Sequence, residues 1–478
     1  MKKQLIGAAC LSAALISSGC GGTTTDQSDE RGVTTVEDAL TAARSASAPT
    51  GFFVPDPDPG ALKQVATLLA QRDVKGALQI AAMVTTPQAV WFTDGTPKQV
   101  EKAVKKVIAQ AALERRIPVL VAYNVPYRDC AQYSGGGAAD TAAYKAWIDG
   151  FTKGIGQAKA TVILEPDALG IIPYNTTIYN AAEWCQPTVL GADGTAVPAP
   201  GANPAERYAQ LQYAGAALTA GAPNASTYYD GTHSAWLGVG EAAYRINKAS
   251  HDPVTGASLG RGFFLNASNY QTTAQAIQFG TWVSMCTAFA TDPEEGGWRV
   301  GNFGWCDSQY NPANGYALDY SPEYAATVTA QIQGLIGASV ATTLPFVIDT
   351  SRNGTGPLDA SKYAASPYGQ SATVVSGLQG GAWCNPPGAG LGLRPTMTTG
   401  VPLVDAYLWV KTPGQSDGSC DIAGGARAWD YSLYNPWSLS TGAQSHFDPL
   451  WGMVDPAAGA WFPAQALDLA RNATPPLF

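Results

Sequence analysis

The chain has 478 residues, a length that allows two or three domains or one large α/β barrel. It carries 28 basic and 37 acidic residues, and this net charge of −9 argues against nucleic acid or an anionic membrane surface as a partner. Only 14% of the residues are charged, whereas 13 Trp and 21 Tyr suit a neutral polar ligand with apolar faces, the alternative being that most of these aromatics are core residues.

The first fifty residues predict export followed by a linker. A basic start precedes an apolar stretch at residues 5–16 and small residues before Cys20, which is typical of an export signal too short to span a membrane; a buried N-terminal helix is the alternative. We interpret residues 1–20 as the signal, residues 21–50 as a flexible tether rich in Thr, Ser and Ala, and residues 51–478 as one domain. Loss of the two signal lysines leaves 26 basic against 37 acidic residues, a net charge of −11.

Strand-like and helix-like segments then alternate along the chain. Helix-like stretches fill residues 61–106 around one short strand, and further helices are predicted at residues 141–157, 204–220, 322–337 and 462–471. Strands are predicted at residues 89–92, 115–123, 161–164, 226–229, 262–265, 344–348 and 404–410. This alternation predicts an α/β fold of the parallel barrel type.

Three long loops interrupt the alternation. They span residues 173–203 with Cys185, residues 289–317 with Cys306, and residues 421–459, which are rich in Trp, Gly and Pro. Long loops inside a compact domain are usually functional or disordered. We expect all three to form walls of a binding cleft.

The cysteine count predicts three disulfides. Cys10 and Cys20 fall in the signal region and leave an even number, which in an exported chain favours complete pairing. The remaining six are Cys130, Cys185, Cys286, Cys306, Cys384 and Cys420. Six cysteines allow many pairings. No CxxC pair or His-rich cluster is present, so we predict neither a metal site nor a cofactor.

Two acidic segments carry the strongest functional signal. Asp129 and Asp167 each follow a short apolar run, at residues 117–123 and 161–164, that reads as a buried parallel strand. In α/β barrels the catalytic residues lie at the carboxyl ends of the strands. The alternative is that both aspartates are turn or helix-capping residues. Two such acids in succession favour carboxylate chemistry at the barrel rim.

Seven motifs together resemble glycoside hydrolase family 6, the cellulases that cleave β-1,4-glucan with inversion. They are Tyr123-Asn-Val-Pro-Tyr-Arg-Asp-Cys130, Ile163-Leu-Glu-Pro-Asp-Ala-Leu169, Tyr228-Tyr-Asp-Gly-Thr-His-Ser-Ala-Trp-Leu-Gly238, Asn266-Ala-Ser-Asn-Tyr270, Val347-Ile-Asp-Thr-Ser-Arg-Asn-Gly354, Ala382-Trp-Cys-Asn385 and Leu408-Trp-Val-Lys-Thr-Pro-Gly-Gln-Ser-Asp-Gly418. They run in the family's order from about Gly51 to the end of the chain. The resemblance implies a distorted parallel β/α barrel, like a TIM barrel, with long disulfide-supported loops over the cleft.

The resemblance assigns the acid and base. Asp167 matches the general acid, and Asp129 matches a second carboxylate that raises the pKa of the acid by like-charge repulsion. Asp417 matches the residue proposed as general base, acting through a water chain; a turn aspartate before Gly418 is the alternative. In an inverting enzyme the two carboxyl groups stand about 6.5 to 9.5 Å apart to admit a water.

Three further residues match supporting catalytic positions. Tyr123 matches a tyrosine that crowds the sugar and distorts its ring. Asp230 is expected to support the acid or a substrate hydroxyl. Ser134 lies in a glycine-rich loop and matches a mobile serine that holds the catalytic water when the loop closes.

The resemblance also supplies substrate contacts. The implied aromatic platforms for sugar rings are Trp91, Trp236 and Trp383, and the implied polar contacts are His233, Asn269, Lys411 and Gln415. Taken alone, His233 would more often be a structural histidine. Gln415 departs from the pattern because relatives commonly carry Glu there.

Sequence proximity and the resemblance together favour one disulfide pattern. The implied pairs are Cys130 with Cys185, Cys286 with Cys306, and Cys384 with Cys420. The residues before Cys20 also resemble a bacterial lipoprotein site, although Ser17 stands where a branched aliphatic residue is usual. We therefore expect a secreted protein or a cell-envelope lipoprotein of a bacterium, with monomer as the default state.

Several hypotheses about the mode of action remain, both within the family and outside it. The short glycine-rich loop after Cys130 resembles open-cleft endoglucanases, which we favour, whereas the long loop at residues 421–459 resembles cellobiohydrolases. A non-catalytic glucan-binding protein would be expected to lose its carboxylates first, yet all three are present. A retaining glycosidase would need a carboxylate nucleophile about 5 Å from the acid. The sequence does not distinguish cellulose from other β-glucans.

Overall fold

A computed structural model describes residues 33–46, 51–294, 297–337, 340–421, 427, 429–433 and 447–478. Within these ranges seven strands form one parallel sheet in chain order. They are β1 (Val90–Phe92), β2 (Val119–Ala122), β3 (Ala160–Leu164), β4 (Ala225–Asp230), β5 (Gly262–Leu265), β6 (Phe346–Asp349) and β7 (Val404–Leu408).

The sheet curls into a barrel because its strands present one set of alternating side chains to a common interior. Val121, Ile163, Tyr228, Phe264 and Val347 pack there as one buried cluster. Side chains of the intervening strand positions point outward to the helices, as the two-residue period of a strand requires. The edges meet where the Ala89 N–H, just before β1, donates to the Trp409 carbonyl, just after β7, at 2.9 Å. The distorted parallel barrel expected from the sequence is confirmed.

Helices surround the outer face of the sheet. They are Val36–Ala46, Pro59–Ala70, Val74–Val84, Pro97–Leu113, Thr141–Ile155, Pro204–Gly221, Val239–Ala249, Thr273–Thr291, Pro322–Ile336, Ala372–Gly380 and Pro463–Arg471. The largest core cluster lies between the sheet and the helices from Pro97–Leu113 to Pro322–Ile336, with Trp147 and Trp282 fully buried in it. No helix in the described ranges is both long enough and apolar enough to pass through a lipid bilayer.

The predicted strands are found, with three differences of two or more residues at one end. One of them is in the strand expected at residues 344–348, which begins at Phe346. The strand expected at residues 115–123 begins only at Val119, because the N–H groups of Arg115 and Arg116 still bond the last turn of the preceding helix. The strand expected at residues 404–410 ends at Leu408.

Three helices between predicted strands were not anticipated, of which the shortest is Ala372–Gly380. Helix Thr273–Thr291 is apolar on most sides and largely buried, so it lacks the one-sided periodicity that marks a surface helix. Helix Val239–Ala249 follows directly on a predicted motif, whose residues were interpreted as a site rather than as a helix start. These two lie in the outer layer, and none of the three changes the order of the strands.

The tether expected at residues 21–50 is wrong for the part that the structure describes. Residues 36–46 form a helix whose Ala39 and Ala43 are fully buried in a cluster with helix Val74–Val84. Small alanines spaced four residues apart pack closely against a neighbouring helix, although the segment has few bulky apolar residues. Residues 1–32, which contain the predicted export signal and Cys20, lie outside the described residues.

The three disulfides form as predicted, namely Cys130–Cys185, Cys286–Cys306 and Cys384–Cys420. Two of the loops that they support contain small antiparallel hairpins, Thr188–Leu190 with Ala196–Pro198 and Tyr310–Asn311 with Ala317–Leu318. The third loop, predicted at residues 421–459, falls partly outside the described residues.

Candidate active site

A cleft of about 590 Å³ opens at the carboxyl ends of the barrel strands. Its lining includes the predicted residues Trp91, Tyr123, Asp129, Ser134, Asp167, His233, Trp236, Asn269, Trp383, Lys411, Gln415 and Asp417. Of the predicted site residues, only Asp230 lies behind this lining. The parallel barrel brings together residues that are almost 330 positions apart in sequence because each follows a strand.

Asp167 lines the cleft just after β3. Its backbone is in the left-handed region at φ 66°, which for a non-glycine residue is a strained conformation typical of functional sites. Among the described residues, none donates a hydrogen bond to its carboxylate. Burial, followed by the charges of Asp230, Asp129 and Asp417, raises the pKa of Asp167 well above its usual value. The geometry therefore favours a protonated carboxyl group that faces open space.

Asp230, at the end of β4, supports the loop that carries Asp167. Its Oδ2 accepts the N–H groups of Leu169 at 3.0 Å and Gly170 at 3.2 Å, and its Oδ1 accepts the N–H of Thr232 at 2.8 Å. Burial raises the pKa of Asp230 to about 6 despite these bonds. The side chain is 2% exposed, so its position fits support of the acid loop rather than contact with a ligand.

Asp129 is joined to Ser134 and Tyr123 by a short hydrogen-bond chain. Both the N–H and the hydroxyl of Ser134 donate to Asp129 Oδ2, at 2.9 and 2.8 Å, and the Tyr123 hydroxyl lies 3.0 Å from Ser134 Oγ. Arg128 stacks 4.5 Å above the Tyr123 ring and donates to the Ser134 carbonyl at 2.9 Å. Burial raises the pKa of Asp129, although the Ser134 bonds and the Arg128 charge oppose this shift.

The buried side chain of Glu165 holds the backbone segment that follows β2. Its Oε2 accepts the N–H groups of Asn124 at 2.8 Å and Val125 at 2.9 Å. Glu165 is fully buried, and this burial raises its pKa to about 7. Both acidic motifs are therefore arranged alike. Each places one aspartate, Asp129 or Asp167, in the cleft, and the backbone of each accepts support from a buried carboxylate outside the cleft, Glu165 or Asp230.

We predict that Gly137→Ala destabilises the protein and lowers its activity. The Ser134 loop returns to the barrel through Gly137 at φ 98°, where an added Cβ would overlap the Val125 carbonyl oxygen. The combined cost of positive φ and overlap is about 3 kcal/mol of unfolding free energy. Urea denaturation with a parallel assay of activity measures both effects.

The matched control is Gly194→Ala, a glycine at φ 79° whose Cβ would meet nothing within 4 Å. It has the conformational cost without the overlap, about 1 kcal/mol, and lies in an exposed hairpin turn. Equal destabilisation of the two variants would contradict the assigned close approach at Gly137.

Asp417 is an ionised carboxylate held by two cations. Its Oδ2 lies 2.8 Å from Arg352 Nη1, and its Oδ1 lies 3.2 Å from Lys411 Nζ. Oδ2 also accepts from the Tyr270 hydroxyl at 3.1 Å and the Asn385 N–H at 3.0 Å. Burial alone would raise its pKa, but Arg352 and Lys411 outweigh burial and lower the pKa to about 2. Asp417 therefore keeps its negative charge across the pH range of most enzymes.

Asp349, at the end of β6, organises the neighbouring loops. Its carboxylate accepts the N–H groups of Ser268 at 3.1 Å, Val410 at 3.1 Å and Lys411 at 3.0 Å. It is 1% exposed and so has no access to the cleft. Its bonds fix Lys411 and the segment that contains Asn269 relative to each other.

The predicted aromatic platforms Trp91, Trp236 and Trp383 line the same cleft as the carboxylates. Trp91 donates its Nε1–H to the Val410 carbonyl at 2.7 Å and meets the Tyr123 ring edge-on at 5.4 Å between centroids. Trp383 is tilted against Tyr133 at 5.8 Å. These contacts hold the indole rings in place while part of each lines the cleft.

The predicted polar contacts differ in how freely they face the cleft. His233 Nδ1 accepts the Ala235 N–H at 3.2 Å, which leaves Nε2–H as a donor, and burial lowers the pKa of His233 to about 4. It is therefore neutral near pH 7. Gln415 instead donates to Asp58 Oδ2 at 3.1 Å, and Asn269 Oδ1 accepts the Tyr270 N–H at 3.0 Å.

The inserted loops contribute unequally to the cleft walls. Trp184 from the first loop lines the cleft, and so do Ala458 and Gly459 from the third. Among the described residues of the second loop, none lines the cleft, so the expectation of a third wall is wrong there. That loop instead supports Trp236, because the Tyr310 hydroxyl donates to the Trp236 carbonyl at 2.8 Å.

Sequence reasoning missed five functional positions. They are Arg128, Glu165, Trp184, Asp349 and Arg352. Four of them lie inside the motifs quoted above. A charged residue next to a predicted site residue could have indicated their role. Trp184 lies in an inserted loop. Its position next to the disulfide residue Cys185 was the one feature of the sequence that could have indicated a place near the cleft.

One group of potential metal ligands lies behind the Asp417 segment. Cys420, Asp448 and Asp455 bring their ligand atoms within 4.8 Å of one another. The Cys420 sulfur is bonded to Cys384, and the pKa of Asp455 is raised to about 8 by burial and by the Asp448 charge. A disulfide sulfur and a protonated carboxyl are poor metal ligands, so the group does not fit a metal site.

A parallel barrel with carboxylates and aromatic rings gathered at the carboxyl ends of its strands defines a carbohydrate-active type of site. The chain belongs to glycosyl hydrolases family 6, whose family model matches residues 48–473. It is 32% identical to Endoglucanase 1 of Streptomyces sp. (strain KSM-9) over 336 residues, which are 70% of this chain and 65% of the relative.

More distant relatives include both named kinds of family member. The probable 1,4-beta-D-glucan cellobiohydrolase C of Neosartorya fischeri is 26% identical over 435 residues, covering 85% of this chain and 74% of that protein. The endoglucanase Cel6 from Mycobacterium tuberculosis, solved in complex with methyl-cellobiosyl-4-deoxy-4-thio-beta-D-cellobioside, is 28% identical. It matches with a TM-score of 0.53 over 89% of this chain and 98% of that chain. Against three bacterial endoglucanases this chain spans only 62 to 65% of their length.

Proposed function

We propose that the protein hydrolyses β-1,4-glucosidic bonds in cellulose or a related β-glucan with inversion of configuration. The observation that carries the proposal is the contrast between two carboxyl groups in one cleft. The pKa of Asp167 is raised by burial and like charges, whereas that of Asp417 is lowered to about 2 by its cations. A proton donor and a lasting anion are what acid-assisted hydrolysis requires.

In the proposed mechanism Asp167 protonates the leaving glycosidic oxygen. Burial, the charge of Asp230 and the charge of Asp129 keep the proton on Asp167 before the reaction. Ser134 and Asp417 orient the attacking water, which bonds to the anomeric carbon as the glycosidic C–O bond breaks and passes its proton along a water chain to the Asp417 carboxylate. The low pKa of Asp417 makes it a weak base, which suits relay through water better than direct abstraction. Tyr123 crowds the sugar ring at the cleavage point, while Asp230 fixes the acid loop.

We assign the sugar-binding subsites to the remaining lining residues. The stacking platforms are Trp91, Trp236 and Trp383, and the hydroxyl contacts are His233, Asn269, Lys411 and Gln415. The apolar faces of glucose rings suit the indoles, and the equatorial hydroxyls suit neutral donors such as His233. The existing bond from Gln415 to Asp58 must be shared or broken when sugar binds there.

We favour endo attack within a chain over release of cellobiose from chain ends. The short Ser134 loop supports this choice, as do the endoglucanase names of the more similar relatives. The cellobiohydrolase relatives favour the alternative, and residues 434–446, which belong to the loop that would roof the cleft, lie outside the described residues. A non-catalytic glucan-binding protein remains the third candidate.

We further propose that the chain is exported as a monomer. The support is the basic and apolar start of the sequence, its disulfides and its acidic balance. Lipid attachment at Cys20 would keep the enzyme on the cell envelope of a bacterium, and secretion would release it.

The function is tested on carboxymethyl cellulose and on a soluble cello-oligosaccharide. We expect viscosity to fall rapidly relative to the reducing ends released, because internal cuts shorten chains most. Proton NMR should show the α-anomer as the first product, as inversion of a β-bond requires. A β-anomer would contradict the inverting mechanism.

The alternatives predict different results in the same assays. Slow viscosity loss with cellobiose as the main product would favour exo attack. Glucan binding without any hydrolysis would favour the non-catalytic protein.

A further inference from the structure

Exposed aromatic side chains continue outward from the cleft over the first two inserted loops. Tyr179 and Trp184 are each 53% exposed, and Trp305 is 54% exposed. Trp184 lines the cleft itself. Large apolar side chains that lie exposed in a contiguous group commonly mark a binding surface.

Tyr179 and Trp184 stand at opposite ends of one narrow arm, residues 174–185. The arm folds back on itself, with the Thr177 N–H donating to the Ala181 carbonyl at 2.9 Å and the Glu183 N–H to the Asn175 carbonyl at 2.9 Å. Tyr179 is therefore at the tip and Trp184 at the base. Five extended residues span at most about 16 Å, so the two rings are separated along the arm rather than stacked.

The tip of the arm meets the second inserted loop beside Trp305. The Tyr179 ring lies against Gly304, where an added Cβ would be 3.7 Å from its Cε1 atom. Trp305 follows directly and lies 5.6 Å from Trp298 between ring centroids. Exposed aromatic rings therefore stand at three places, the cleft wall, the arm tip and the adjoining second loop, spaced along one side of the protein surface.

The arm is held rigidly against the acid loop by Arg245. This fully buried guanidinium pairs with Glu183 in the arm and with Glu241 at 2.5 Å, and it donates to the Leu169 carbonyl at 2.7 Å. The Ile178 N–H donates to Glu241 Oε2 at 2.8 Å. A rigid platform loses little conformational entropy when a ligand binds.

The chemistry around these rings suits a neutral polymer. Arg245 pairs with both Glu183 and Glu241, which leaves this group with one net negative charge. The carboxyl group of Asp307 lies near the Tyr179 ring, so an anionic polymer would be repelled here. The surface offers aromatic faces beside backbone and hydroxyl groups, the combination that stacks on sugar rings. These rings also extend outward from a cleft to which we assign a glucan chain.

The geometry points to an aromatic track, formed by Trp184, Tyr179 and Trp305, that binds the part of a long β-glucan chain extending beyond the cleft. This assignment depends on the proposed function. It adds that the preferred ligand is a polymer rather than a short oligosaccharide. The track holds the polymer on the protein between cuts.

The test compares polymer binding with short-substrate turnover in Tyr179→Ala/Trp305→Ala. We expect the affinity for amorphous cellulose to fall about tenfold, because the variant loses two exposed stacking contacts. The kcat/KM for cellotetraose should stay within about twofold of wild type, because this ligand fits inside the cleft. The single variant Trp305→Ala, which leaves the arm intact, should weaken adsorption about threefold.

The control is Phe478→Ala, an aromatic residue that is 62% exposed at the chain end, and it should adsorb like wild type. Wild-type adsorption by both track variants would overturn the track while leaving the proposed function intact. So would equal weakening in the control. A wild-type protein that neither binds nor cleaves any β-1,4-glucan would instead overturn the proposed function.

Discussion

Asp167→Asn is expected to lower β-glucan hydrolysis by about a thousandfold while leaving substrate binding in place. An amide of the same shape cannot transfer a proton to the leaving oxygen, and general acid catalysis typically supplies between a hundredfold and ten-thousandfold. Rates on carboxymethyl cellulose and adsorption isotherms measure the two effects separately.

The same substitution is expected to stabilise the protein near neutral pH. No hydrogen bond from the described residues ends on the Asp167 carboxylate, so the amide leaves no partner unsatisfied. The pKa of Asp167 in the folded state is raised above its unfolded value by burial and by Asp230, Asp129 and Asp417. The folded protein therefore binds more protons than the unfolded chain, and stability falls as pH rises above about 4. The amide removes this loss.

Thermal unfolding at two pH values tests the sign. The Tm of Asp167→Asn should exceed that of wild type at pH 7, and the two should converge towards pH 4. Asp193→Asn is the control, since Asp193 is exposed in a hairpin turn and does not line the cleft, and it should retain wild-type activity. A less stable but active Asp167→Asn would contradict both the assigned role and the assigned electrostatics.

The barrel and two of its carboxylates were predictable because they depend on local pattern. Short β-branched runs such as residues 161–164 are read as buried strands, and acids directly after them fall at one end of a parallel sheet. Asp129 and Asp167 are in the cleft for this reason, whereas Asp417, nine residues beyond the end of β7, was assigned by the family resemblance. Their family resemblance added roles that pattern alone would not give.

The supporting contacts were not predictable because they join distant parts of the chain. Arg352 reaches Asp417 across 65 positions, and Glu165 bonds residues 40 and 41 positions earlier. A buried charge looks the same in sequence whether it faces a ligand or holds a loop. The family resemblance separated Asp167 from Asp230, and the packed barrel shows the physical difference: Asp167 lines the cleft, whereas Asp230 lies buried behind it.

Arg352→Met is expected to lower the free energy of unfolding by about 4 kcal/mol at pH 7. Arg352 is fully buried, pairs with Asp417 at 2.8 Å and stacks 4.4 Å above the Tyr270 ring. Its removal leaves Asp417 buried with Lys411 as its remaining cation, and breaking one side of a buried ion pair typically costs about 3 to 5 kcal/mol. Urea denaturation measures the change.

The matched control is Arg261→Met, which breaks the pair with Asp405 at 2.6 Å on a side chain that is 51% exposed. Water already screens that pair, so the cost should stay below about 1 kcal/mol. Equal losses in the two variants would contradict the assigned burial of the Asp417 pair.

The pH dependence separates lost charge pairing from lost packing in Arg352→Met. In wild type the folded pKa of Asp417 is lowered to about 2, below its unfolded value, so its stabilising contribution is complete above about pH 4 and disappears as pH falls through about 2. The difference between wild type and variant should therefore shrink between pH 4 and pH 2. A difference that stays constant over this interval would assign the loss to packing on Tyr270 instead. Since the same pair keeps Asp417 ionised, a variant that loses charge pairing should also lose hydrolysis at pH values where the wild type is active.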